Sequence, residues 1–471
     1  MTAVGRRPSG ALDRQILALA LPALGALVAE PVFVLVDSAM VGHLGAASLA
    51  GLSLASTVLT TLVGLFVFLA YSTTATTARL FGAGDRRAGL RAGVDGLWLA
   101  LLLGLGAAAL LGACAPRVTG LLGAQDAVAV NAVAYLRASA GGLPGMLVVL
   151  AATGTLRGLL DTRTPFAVAT AGAVLNVALN AVLIYGLGMG VAGSGLGTAL
   201  SQTAMAVALG APVLHAARRE GVAVAPRIAG LGTSLGAGLP LLVRTISLRL
   251  ALLATVWSAT SLGPTALAAH QVVAAVWGLT AFALDALAIA AQALIGRALG
   301  AAQARAAGGT GSGPGATGTA PPEDPEGVGE VRAVLRRSLV WGVASGAVLG
   351  TAVAALSPWL PRLFSPEHAV VGAASPALLI AGTAMPMAGA VFLLDGVLMG
   401  AGDGRYLAWA GVVTLLPYLP LTALIAQGWP EPGTGALMWL WAAFGWVFMG
   451  ARLATTGLRT RHLAAFAPRP S

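Results

Sequence analysis

Few residues of this chain can do chemistry, and most of them stand alone inside apolar runs. Asp37 lies near the end of the first such run, seven residues after Glu30. At 100° per residue the two acids are about 20° from sharing one helical face and roughly 10 Å apart along its axis. Pro22 and Pro31 break the backbone hydrogen bonding of the same run, and carbonyls freed at a bend can serve an ion or a substrate. Asn176 and Asn180 form an i, i+4 pair on one face of another apolar run, and Thr198 can add a hydroxyl from the run after it. In the second half Asp285 and Asp395 are isolated acids, and Arg244 and Arg249 are isolated bases. Each also has a plainer reading. Asp37 could cap the outer end of its helix. The Asn and Thr side chains could bond neighbouring membrane helices, worth about 0.6 kcal/mol each. The simplest arrangement pairs the arginines with Asp285 and Asp395, and such a pair serves equally as structure or as a proton relay.

Other chemistries find no support. His43, His215, His270, His368 and His462 fall singly, without the partner spacing of a catalytic constellation, so an enzyme is not expected. Cys114 is the one cysteine and cannot form an intramolecular disulfide. No Cys/His cluster has metal-ligand spacing, and no cofactor is expected.

The elements that position the polar residues follow from composition. Of 471 residues 57% are hydrophobic and 9% are charged, with mean hydropathy +0.86. A soluble chain carries roughly a quarter charged residues, and a spanning helix needs about 20 apolar ones. The chain therefore reads as an all-α polytopic membrane protein. Apolar runs give twelve transmembrane helices, near 15–37, 48–77, 93–113, 130–155, 166–185, 195–215, 234–257, 265–294, 338–356, 370–398, 406–426 and 435–454. The first is too long for a signal segment and lacks a small-residue cleavage pattern, so it reads as a mature helix. All 27 basic residues are arginines, and most fall between the runs, which suits membrane topology better than a nucleic-acid-binding face. Alternate loops hold nearly all of them, Arg452 included, while Arg117 and Arg362 fall in the opposite loops. By the positive-inside rule both termini are cytoplasmic, in a multi-pass protein of the cell's inner or plasma membrane.

The chain also repeats itself. Leu21-Pro22 answers to Leu239-Pro240, Leu44-Gly45 to Leu262-Gly263, and Arg79 with Gly82 to Arg297 with Gly300, all at a spacing of 218. Pro116 answers to Pro358, Pro144 to Pro386, and Gly158, Asp161 and Arg163 to Gly400, Asp403 and Arg405, all at 242. A Gly/Pro/Ala/Thr-rich stretch at 307–327 lies between the two registers and reads as a flexible cytoplasmic insertion. Two pseudo-symmetric six-helix lobes are expected, 1–220 and 221–471. Because each holds six spans, they are parallel repeats, an arrangement that recurs in alternating-access transporters.

Several of these residues resemble a known family. Leu21-Pro22 through Asp37, Gly42-His43-Leu44-Gly45 and Arg79-Leu80-Phe81-Gly82-Ala83-Gly84 look like the multidrug and toxic compound extrusion (MATE) transporters. Tyr135-Leu136-Arg137, Arg244-Thr245, Ala283-Leu284-Asp285, Leu394-Asp395-Gly396 and Gly400-Ala401 look like the DinF-like branch of that family. The resemblance implies a secondary active efflux antiporter, exporting small amphipathic, often cationic compounds against entering H⁺ or Na⁺ by alternating access between two lobes. It implies no cofactor, no nucleic acid, the lipid bilayer as surroundings, and a monomer. The family places its ion-coupling site on an Asp of helix 1, an Asn and an Asp of helix 5 and a Thr of helix 6. Asp37, Asn176 and Thr198 match, while Asn180 stands where the second Asp is usual. Gln292 stands where related chains carry Glu. On the same resemblance Tyr135, Arg244, Arg249, Asp285, Gln292 and Asp395 are expected to contact substrate or to form a polar network of the second lobe. Asp37, Asn176, Asn180 and Thr198 could supply oxygens to Na⁺, whereas H⁺ needs only a carboxylate, and the missing second carboxylate favours H⁺. A lipid-linked precursor or polysaccharide flippase of the same superfamily would share the lobes; it would need a cationic cavity, for which Arg244 and Arg249 are the candidates.

Overall fold

The computed structural model describes residues 9–310 and 325–462, so most of the insertion expected at 307–327 lies outside the described residues. Within them all regular structure is helical. Apolar runs of this length leave the backbone only itself to bond in hydrocarbon, and a helix is the local solution.

The first repeat comprises α1 (Ser9–Gly42), α2 (Ala46–Leu65), α3 (Phe68–Gly82), α4 (Arg86–Leu121), α5 (Asp126–Ala140), α6 (Leu143–Gly158), α7 (Arg163–Asn180) and α8 (Gly190–Arg219). The second comprises α9 (Ile228–Ser261), α10 (Pro264–Thr310), α11 (Pro325–Leu356), α12 (His368–Gly400), α13 (Gly404–Val413), α14 (Leu415–Ala426), α15 (Ala436–Ala442) and α16 (Met449–His462). Eleven stretches are long and apolar enough to cross a membrane, and α5 with α6, bent by 52°, makes a twelfth. The twelve expected spans are present, but several are not single rods. The α5–α6 bend falls at Gly141-Gly142 just before Pro144, where neither glycine favours a helix and the proline gives up a donor. Pro417 likewise cannot bond the carbonyl of Val413, and α13 ends there. π-Helical turns extend α7 through Ala181–Gly186 and join α15 to α16 through Ala443–Phe448.

The repeat read from the sequence is present in the packing. Gly104 on α4 lies against the backbone of Pro144 on α6, and Gly346 on α11 lies against that of Pro386 on α12, the same two positions at a spacing of 242. Gly154 on α6 meets the backbone of Ala70 on α3, and Gly396 on α12 meets that of Ala288 on α10. A Cβ at any of these glycines would overlap its neighbour, so each repeat uses glycine to bring two helices into backbone contact. The second repeat adds an aromatic core in which Phe444 sits edge-on to Trp277 at 5.3 Å and Tyr418 lies 5.0 Å from Phe448.

Packing divides the chain into Leu21–Leu239 and, as a second unit, Met1–Ala20 with Pro240–Ser471. Both cuts fall at the repeated Leu-Pro step, inside the continuous helices α1 and α9. Each of these helices therefore begins in one unit and ends in the other. Residues 221–239 go with the first unit, a division that differs from the span-count boundary at 220.

Candidate functional site

Within the unit Leu21–Leu239, a polar group is gathered in otherwise apolar surroundings. Asp37 on α1 is 3% exposed, Asn176 and Asn180 on α7 are 1% and 0% exposed, and Ser194 and Thr198 on α8 are buried with them. Asn180 Nδ2 donates to Asp37 Oδ1 at 2.8 Å and to Asn176 Oδ1 at 3.1 Å. Ser194 Oγ donates to the same Asp37 oxygen at 2.5 Å, and Asn176 Nδ2 donates to Thr198 Oγ1 at 3.5 Å. The phenol of buried Tyr135 on α5 interacts with Asp37, Thr198 and Ser56. The i, i+4 spacing explains the assembly: Asn176 and Asn180 share one face of α7, Ser194 and Thr198 share one face of α8, and Asp37 is received between them. Gly197 lies against Asn180 Oδ1, where any side chain would collide.

The four expected coupling residues, Asp37, Asn176, Asn180 and Thr198, are thus in one place. Asp37 is not exposed at a helix end. Two expectations shift. Tyr135 belongs with this group and not with a network of the second lobe, because α5 packs against α8 and its phenol reaches Asp37 and Thr198. Glu30, placed by helical geometry near the face of Asp37, is exposed while Asp37 is buried, so the two acids do not share surroundings. Ser194 was overlooked; its position four residues before Thr198 was the available signal.

The second unit holds a different cluster. Asp395 on α12 accepts from Arg244 on α9 at 2.6 Å and also from Arg452 on α16, with which it makes a close ion pair. Asp285 on α10 adds a carboxylate within electrostatic reach of Arg452. Arg452 also stacks 5.8 Å from the rings of Phe392 and Phe448. The expected pairing of Arg244 with Asp395 is present. Arg249 is exposed and lies outside the cluster, and its place is taken by Arg452, which is 7% exposed. Arg452, near the end of the expected span 435–454, counts with the loop arginines in the sequence; α16 instead continues to His462 and buries it. Gln292 is buried on α10, its backbone packed on Gly400 of α12.

Repeat arithmetic shows that the two clusters are not copies. Thr255 and Tyr418 occupy the positions of Asp37 and Asn176 in the second repeat and hydrogen-bond to each other at 2.6 Å. Thr422 stands in place of Asn180, and Ala436 and Leu440 replace Ser194 and Thr198. The carboxylate of the first repeat has no equivalent there. Among the described residues no group of three or more His, Cys, Asp or Glu side chains is gathered as a metal site.

A polytopic helical fold built from two parallel repeats is an architecture that recurs in membrane transporters. The MatE family model matches residues 22–182, 240–312 and 328–424, and the chain belongs to that family of transporters for toxic compounds; it is not an enzyme. The match resumes only at residue 328, leaving out most of the insertion. The chain is similar to the chloroplastic protein DETOXIFICATION 44 of Arabidopsis thaliana, 29% identical over 86% of this chain and 75% of that one. It is similar to DNA damage-inducible protein F of Escherichia coli, 30% identical over 61% of this chain and 64% of that one. Its fold matches the bent form of the Vibrio cholerae MATE transporter VcmN with a TM-score of 0.81 at 21% identity, covering 97% of this chain and 99% of the other.

Proposed function

We propose that the protein is a proton-coupled antiporter that exports small amphipathic, often cationic compounds, with Asp37 as the group that carries the proton. The orientation of Asn180 carries this reading. Its amide nitrogen faces Asp37 while its oxygen turns toward Gly197. Ser194 also presents a donor to Asp37. A Na⁺ site needs several oxygens turned inward, whereas these donors receive a carboxylate that can load and release H⁺ with no other ligand. Turning the Asn180 oxygen inward would set it 2.8 Å from Asp37 Oδ1, a repulsion that a proton on Asp37 or a bound cation would relieve. The arginine distribution supports a cell-membrane protein with both termini in the cytoplasm, and the chain is proposed to act as a monomer. The flippase reading asks for a free cationic surface, and Arg244 is neutralised by Asp395.

The test is efflux of a fluorescent lipophilic cation from proteoliposomes under an imposed pH gradient or an imposed Na⁺ gradient. Efflux driven by the pH gradient alone is expected. Efflux that follows only Na⁺, or translocation of a labelled lipid without cation export, would overturn the proposal.

Asn180→Asp probes the same site. Two carboxylates this close cannot both ionise freely, and they would share a proton as a unit. The pH optimum of export is expected to move upward and a Na⁺ dependence to appear. An unchanged pH and Na⁺ profile with a lowered melting temperature would show that Asn180 merely ties helices together.

A further inference from the structure

The two helices that belong to both units are each tied down at their first turns, and the ties are related by the repeat. In α1, both carboxylate oxygens of Asp13 accept from Arg337 of α11, and Trp341 Nε1 donates to Asp13 Oδ1 at 2.8 Å. At the start of α9, Arg227 pairs with Asp95 of α4 at 3.1 Å, and Asp95 also holds Arg91 at 2.6 Å. Arg91 donates to the carbonyls of Ala223 and, at 2.9 Å, Ala225; Trp98 Nε1 donates to that of Val224 at 2.7 Å. The segment joining the two repeats is therefore gripped at three consecutive carbonyls. Gly230 brings the backbone of α9 so near the Asp95 carboxylate that a Cβ would overlap it.

Asp95 and Arg337 are the same position of the repeat, 242 residues apart, with charge reversed. Each is followed within four residues by a tryptophan that donates its indole N–H into the same junction, and each grips a partner at the start of the first helix of a repeat. A duplicated scaffold has thus kept the junction and exchanged the charges across it. Neither tie lies in the coupling group or in the Asp395 cluster.

We propose that these two junctions are permanent anchors, with Asp13, Arg337, Asp95 and Arg227 as positioning residues. They hold the starts of α1 and α9 fixed through the transport cycle, so that movement of α1 around Asp37 is confined to the helix beyond Ala20. The transport arm of the test rests on the efflux reading; the exchange arm does not.

In the exchange arm, hydrogen–deuterium exchange is followed in reconstituted protein. Asp13→Asn is expected to speed exchange in residues 9–20 and Arg227→Gln in residues 228–239, each without changing the other segment. Exchange unchanged in both overturns the anchors whatever the protein transports. In the transport arm, single variants are expected to lower gradient-driven efflux by about five-fold, and the double exchange Asp13→Arg with Arg337→Asp to recover most of it. With Cys114→Ala as background, Asp13→Cys and Arg337→Cys are joined by a short, reducible bifunctional thiol reagent. The joined protein is expected to export faster than its reduced form, because joining restores the anchor that the two cysteines removed. Arrest on joining, reversed by reductant, would show that the junction opens in each cycle and would overturn the proposal.

Discussion

Replacing Asp37 by asparagine is expected to lower pH-gradient-driven export to the leak rate of empty vesicles while leaving the protein folded. Two donors, from Asn180 and Ser194, converge on a single oxygen of Asp37. An asparagine carbonyl at that position can accept both, so the packing of α1, α7 and α8 keeps its bonds. A typical net hydrogen bond contributes about 1 kcal/mol, and the change in stability should not exceed that. What is lost is the ability to take up and give back a proton. Efflux beside a melting curve in detergent decides the matter, and wild-type efflux from the variant would show that the proton is carried elsewhere.

The second large effect concerns stability. Asp395→Asn should destabilise the second unit by about 3 kcal/mol, because removing one partner of a buried ion pair leaves charge uncompensated. Arg244 and Arg452 both direct a guanidinium at the same Asp395 oxygen, and after the substitution Asp285 would be the one acid of the cluster left to balance them. A lowered melting temperature and poor recovery from membranes are expected. Restoring charge balance with Arg452→Met in the Asp395→Asn background should recover much of the loss. A melting curve for Asp395→Asn that overlays the wild type would contradict this account.

Much of the architecture was legible in the sequence because the membrane leaves few options: apolar run length fixes the helices, and the shared spacings of Leu-Pro and Gly-x-x-Asp expose the repeat. The polar group around Asp37 was legible for a related reason. Asp37, Asn176 and Asn180 are conspicuous where charge and amide are costly. Arg452 was hidden by the opposite effect, since an arginine at the fraying end of an apolar run looks like any loop arginine until a carboxylate on another helix is known to face it. Ser194 was hidden because serine is common in membrane helices. Tyr135 was expected to contact substrate or to join the second-lobe network, and neither hydropathy nor the repeat reports that α5 packs against α8 and sets its phenol beside Asp37. The two junctions escaped notice because each joins residues more than a hundred positions apart near the ends of apolar runs, where charges are ordinary.

The replacement of Asp37 by Thr255 in the second repeat bears on energy conversion. If Asp37 carries the proton as proposed, one carboxylate loads at most one proton per turnover, so exchanging it for a singly charged compound moves no net charge across the bilayer. Membrane voltage then does no work on the exchange. The steepest substrate ratio the carrier can sustain equals the proton ratio, and a cell that lets its pH gradient collapse while keeping its voltage would lose this route of export.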